Sequence, residues 1–181
     1  PTLSHEAKML LLQIVASQGW DLVMADVKGA FMESPPPNRE GGALYMTLPR
    51  GGVPGTRYGA DDICEILLPL YGLNDAPRAW WLTLRQEMAS IGFVESQQCK
   101  GLLYICEDAD GEPVRRSHAV TLQRGDTYTP NAVKALPGTV IGAVSLHVDE
   151  TTVVGSERFF QKYWKKVTDR FIVGAADNLR D

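Results

Sequence analysis

The stretch Val140–Gly155, VIGAVSLHVDETTVVG, limits what this chain can fold into more than any other. Two apolar runs rich in β-branched residues flank one polar knot, His147-Val148-Asp149-Glu150. Such side chains suit a pleated surface packed against a core, so the pattern predicts a β-hairpin with acids at its tip. Two carboxylates at a turn between buried strands stand at the edge of a sheet, where a hard, oxygen-seeking cation such as Mg²⁺ can bridge them to a phosphate. Asp149 and Glu150 also read as plain turn residues, because Asp favours turns through hydrogen bonds to its own backbone.

A second acid bears on that choice. Trp20–Val27, WDLVMADV, is an extended apolar run that delivers Asp26 and Lys28 at its C-terminal end. Alone, Asp26 reads as the residue that caps the turn after a strand. With Asp149 and Glu150 it forms a set of acids at strand ends.

With 181 residues, 44% of them hydrophobic and 22% charged, the chain is predicted to form one domain with its own core. It has no apolar run of membrane-spanning length and no basic-then-apolar leader, which predicts an intracellular protein that no membrane holds. Cys64, Cys99 and Cys106 lack metal-ligand spacing and are odd in number, so free thiols are expected. Eighteen basic and 22 acidic side chains give a net charge of −4, which excludes a self-sufficient nucleic-acid binder. Any polynucleotide contact must be local or depend on segments outside this sequence.

Around the two acidic strands the remaining elements follow from periodicity. Ser4 caps a helix whose Ala7, Leu10, Leu11, Ile14 and Val15 recur on a core-facing side. The proline-rich Glu33–Glu40 is a loop, and Ala43–Leu48 and Ile63–Leu68 are short strands whose pairing the sequence leaves open. Asp75 is placed to cap a helix that holds Pro77 in its first turn, continues through Trp80, Leu84, Met88 and Ile91, and stops at Gly92. The N-terminus of that helix, with Arg78 nearby, can face a phosphate; equally, Trp80 and Trp81 are core and Arg78 is a solvated charge. Leu102–Cys106 is a strand. Residues 107–138 are irregular, with the basic pair Arg115-Arg116 and a short strand over Ala119–Leu122. Glu157–Phe171 is an amphipathic helix with Phe160, Tyr163, Trp164 and Val167 on one side and Lys162, Lys165, Lys166 and Arg170 on the other.

Laid out in order, these residues resemble the copia-type retrotransposon reverse transcriptases over nearly the whole chain. Asp26-Val27-Lys28-Gly29-Ala30-Phe31 resembles the first catalytic motif of that family. Leu44-Tyr45-Met46 with Leu48-Pro49-Arg50-Gly51 resembles the segment after it. Leu70-Tyr71-Gly72-Leu73, Ala76-Pro77-Arg78 and Trp80 match a second hallmark, and Val148-Asp149 falls where the family has Tyr-Val-Asp-Asp.

The resemblance implies an α+β fold: a reverse-transcriptase palm, with an antiparallel sheet and helices packed on one face in a ferredoxin-like arrangement. It implies an RNA-directed DNA polymerase that adds dNTPs to a primer 3′ end on an RNA or DNA template. Asp26, Asp149 and Glu150 would be catalytic and, with the carbonyl of Val27, would ligate two Mg²⁺ ions, for which Mn²⁺ can substitute. Phe31 would lie under the sugar of the incoming nucleotide and exclude a 2′-hydroxyl, and Asp75 and Arg78 would stand near the nucleotide. Integrase and RNase H segments of the same polyprotein are the implied partners, in a cytoplasmic virus-like particle or the nucleus.

Against the family pattern, the basic fingers strands and the primer-grip and thumb segments are absent from these 181 residues, which predicts a partial palm that folds without polymerising. Glu150 stands in place of an Asp, His147 in place of Tyr, and Asp75 in place of Gln, where its charge opposes a triphosphate. Those departures keep a second reading open: a diverged, catalytically inactive palm remnant acting as a binding or scaffold module.

Overall fold

A computed structural model describes residues 3–36, 42–115, 137–147, 150–174 and 177–178. In chain order the elements are α1 (His5–Gln18), β1 (Asp21–Asp26), β2 (Tyr45–Thr47), β3 (Ile63–Glu65), α2 (Ala76–Ile91), β4 (Val94–Glu95) and β5 (Leu102–Glu107). They continue with β6 (Thr139–His147), β7 (Glu150–Gly155) and α3 (Glu157–Phe159), which runs through a π turn (Phe160–Trp164) into α4 (Lys165–Arg170), and then β8 (Asp177–Asn178). The chain packs as two compact units: Pro1–Lys28 with Leu84–Asp181, and Gly29–Thr83.

The first unit is built on a six-stranded sheet in the order β4-β5-β6-β7-β1-β8, and every neighbouring pair is antiparallel. Its two faces follow from strand alternation. Val23 and Ala25 of β1, Val153 of β7, Val144 and Leu146 of β6, and Leu103 and Ile105 of β5 are buried along one face. On the other face Ala143 and Val154 pack against Leu11 of α1, with Leu22, Leu102 and Tyr104 around them.

The first face is covered by the run from α3 to α4. Gly142 and Gly155 are register partners, and a Cβ on either would come within 2.2 and 2.4 Å of the Phe159 ring. The two glycines therefore form the slot in which that ring lies. Helices cover both faces, not the single face expected. The unbroken run VIGAVSL in β6 is the reason: a strand covered on both sides has no polar alternation.

Phe159, Tyr163, Val167 and Phe171 are all buried and spaced four residues apart. An α-helix turns every 3.6 residues, so a stripe at that spacing drifts round the helix. The wider π turn at Phe160–Trp164 takes up part of the drift and keeps the stripe on the sheet.

Caps behave as the sequence predicts at α1. Ser4 Oγ accepts from Ala7 N at 3.3 Å, and Gly19 closes the helix in the left-handed conformation, φ 63°, that a Cβ would strain. The predicted core face is only partly used. Leu11 is buried and Ala7 and Val15 are half-buried, but Leu10 is 62% exposed and Ile14 is exposed too. Adjacent helical residues are about 100° apart, so seating Leu11 over the sheet turns Leu10 away from it.

The first part of the stretch expected to be irregular has defined structure. Glu107 is the last residue of β5, paired with Thr139, and residues 108–115 are ordered. Asp108 Oδ1 accepts from the backbone of Asp110 and Glu112, at 3.0 and 2.9 Å, and folds the chain back so that Pro113 bridges Glu107. Arg115 donates to the Ser90 carbonyl. Arg116 and the strand expected over residues 119–122 lie outside the described residues.

In the second unit β2 and β3 pair antiparallel, Tyr45 opposite Glu65 and Thr47 opposite Ile63. Both are shorter than the runs that predicted them. A 3-10 turn, Ala30–Glu33, follows Gly29. Of the helix α2, the backbone of Ala79 closes the first turn onto the Asp75 carbonyl, and Trp80 is core. Among the described residues no helix is long and apolar enough to cross a membrane.

Candidate functional site

β1 ends on Asp26, and its burial falls away toward that end: Val23, Ala25 and Val27 are buried, while Asp26 is exposed. Asp26 is opposite Glu150 in the β1–β7 ladder, and Glu150 is opposite His147 in the β6–β7 ladder. Three polar residues thus stand in one row across three adjacent strands, all on one face. Directly opposed residues have Cβ atoms about 4.5–5.5 Å apart, so the two carboxylates can share one cation.

The row below it on the same face is Met24, Thr152 and Ser145, where Thr152 Oγ1 lies 3.4 Å from Met24 Sδ. Below that lie Leu22, Val154 and Ala143, the level at which α1 packs. The helix covers one end of the face and leaves the acidic end exposed.

The backbone under Asp26 is pinned. Its carbonyl accepts from Gly174 N at 2.7 Å, Lys28 N donates to the Ile172 carbonyl at 2.9 Å, and Val27 bridges Val173 between them. Thr151 Oγ1 donates to the Ala25 carbonyl at 3.0 Å on the buried side. Val148 and Asp149, which connect His147 to Glu150 in the sequence, lie outside the described residues. Among the described residues no three His, Cys, Asp or Glu side chains cluster closely enough to hold a metal ion.

Phe31, Asp75 and Arg78 belong to the second unit. Phe31 is only 4% exposed, and its ring packs on Tyr71 with centroids 4.4 Å apart. Asp75 is half-buried at the start of α2, and Arg78 is exposed. The structure therefore brings together Asp26, Glu150 and His147, of which His147 entered the sequence reading only as a departure from a family pattern.

A second polar cluster escaped the sequence reading. Glu107 is 7% exposed, and its carboxylate receives Arg158 Nε at 3.1 and 3.0 Å on its two oxygens and Tyr163 OH at 2.9 Å, with Lys162 Nζ at 3.6 Å. Lys162 also reaches Glu112 at 3.3 Å and the Gly111 carbonyl, to which Arg158 donates as well. Burial and the bond to Glu107 raise the Tyr163 phenol above its ordinary value, while Lys162 works the other way. For Lys162 burial disfavours the ammonium, but its bonds to Tyr163 and Glu112 outweigh that and raise its pKa.

Two acids face two bases in this cluster, so it is neutral within itself. It ties β5 and the turn after it to the helix, and the signal for it is the i, i+4, i+5 spacing of Arg158, Lys162 and Tyr163. On the predicted basic face Lys165 pairs with Asp169 and Arg170 with Glu87, while Lys166 lies over the Tyr163 ring, 5.9 Å from its centroid. The three cysteines are free, and burial raises the thiol of Cys106.

Fold and site together define an α+β protein with an acid-bearing edge on an antiparallel sheet. Over 96 residues, 53% of this chain, the sequence is 30% identical to the retrovirus-related Pol polyproteins from transposons RE2 and RE1 of Arabidopsis thaliana. The matched region spans 6% of the length of each of those polyproteins. The similarity supports an origin in a retrotransposon polyprotein. No protein-family model and no solved structure matches the chain.

Proposed function

We propose that this chain is the palm region of a retrotransposon reverse transcriptase, an RNA-directed DNA polymerase that extends a primer 3′ end with deoxynucleotides. The observation that carries the reading is the row Asp26, Glu150 and His147 across the neighbouring strands β1, β7 and β6. Its donor chemistry fits the implied metal: exposed carboxylates on neighbouring strands are the hard oxygen ligands that Mg²⁺ and Mn²⁺ take. Asp26 and Glu150, with Asp149 beside Glu150 in sequence and the carbonyl of Val27, would hold the ions. Bound Mg²⁺ would supply activation of the primer 3′-hydroxyl and neutralisation of the leaving pyrophosphate.

The chain's own contribution is position. Hydrogen bonds to the carbonyls of Ala25 and Asp26 fix the strand end before any ligand arrives, and phosphoryl transfer depends chiefly on such positioning. In this reading Phe31 excludes a ribose 2′-hydroxyl by its volume, Arg78 takes a phosphate from the first turn of α2, and Asp75 opposes the triphosphate. RNA or DNA template with primer, dNTPs, and the integrase and RNase H segments are the partners.

The second reading, an inactive palm remnant that serves as a binding or scaffold module, draws on Glu150, whose carboxylate reaches one methylene further than that of an Asp, and on Asp75, a negative charge at the start of α2. Primer extension by the full-length parent polyprotein, with and without Mg²⁺, decides between them. The polymerase reading expects Mg²⁺-dependent extension that Asp26→Asn lowers at least about 100-fold. Extension left intact by Asp26→Asn overturns it, and no extension by an otherwise folded parent favours the remnant.

A further inference from the structure

We draw no further inference here: the strongest candidate, the apolar face of the β2–β3 pair in the second unit, on which Tyr45 and Ile63 are 63% and 69% exposed, carries nothing because nothing in the structure shows what covers it.

Discussion

Glu107 is the one charged side chain buried among the described residues, and its partners decide what its removal does. Arg158 and Lys162 keep part of their surface in water, so they rehydrate when the carboxylate is lost, and the cost falls below that of breaking a fully buried pair. Glu107→Ala is expected to lower stability by about 2 kcal/mol. Tyr163→Phe removes a hydrogen bond to a carboxylate and is expected to cost about 1–2 kcal/mol, with much of that loss absent when Glu107 is already Gln. Urea unfolding of the four chains measures the coupling, and equal Tyr163→Phe costs in both backgrounds would show that the bond contributes nothing. The pH dependence has a definite sign. Because the fold raises the Tyr163 pKa, its contribution is complete below about pH 10 and disappears as pH climbs through the raised value. The stability gap between the unmodified chain and Tyr163→Phe should therefore narrow only at strongly alkaline pH.

Among the elements, β6 and β7 show most plainly how packing follows from sequence. Gly142 and Gly155 have no side chain because the Phe159 ring occupies that space. Gly142→Ala is expected to destabilise by about 1–3 kcal/mol through overpacking, and Phe159→Ala by about 3–5 kcal/mol through the cavity it leaves. In the double variant the new methyl group enters the cavity, so the Gly142→Ala penalty should shrink or reverse. Strictly additive losses in denaturant titrations would remove the slot from the account. The hairpin strands themselves were legible, because β-branched runs have few other uses. The caps of α1 and the start of α2 were legible too, since Ser4 and Asp75 sit where local chemistry alone decides. The two-sided cover of the sheet was not, because a continuous apolar run reports burial without reporting what covers each face. Leu10 and Glu107 were misjudged for a related reason: periodicity gives a helix an apolar side but not its seating, and a charge paired 51 residues away with Arg158 has no local signature.

At the scale of the molecule, the acids that mark the chain in sequence, Asp26 and Glu150, arrive in register on neighbouring strands at the open end of a sheet face. The sequence points to Asp26 and Asp149 as the pair that meets, because strand ends gather at sheet edges; Asp149 lies outside the described residues, and the register partner of Asp26 is Glu150. The sequence could not foresee that Gly174 would return to pin the Asp26 carbonyl, since that contact joins residues far apart in the chain. Similarity to transposon Pol polyproteins over 53% of the chain supports an origin in a retrotransposon polyprotein. The central claim is that the edge takes divalent metal, and Mn²⁺-induced broadening in the amide NMR spectrum of the 181-residue chain tests it most directly. The account predicts that the amides of Asp26, His147 and Glu150 broaden first, at substoichiometric Mn²⁺, and that Asp26→Asn suppresses the effect. Broadening that starts instead at the acidic turn of Asp108, Asp110 and Glu112, or that survives Asp26→Asn unchanged, would contradict it.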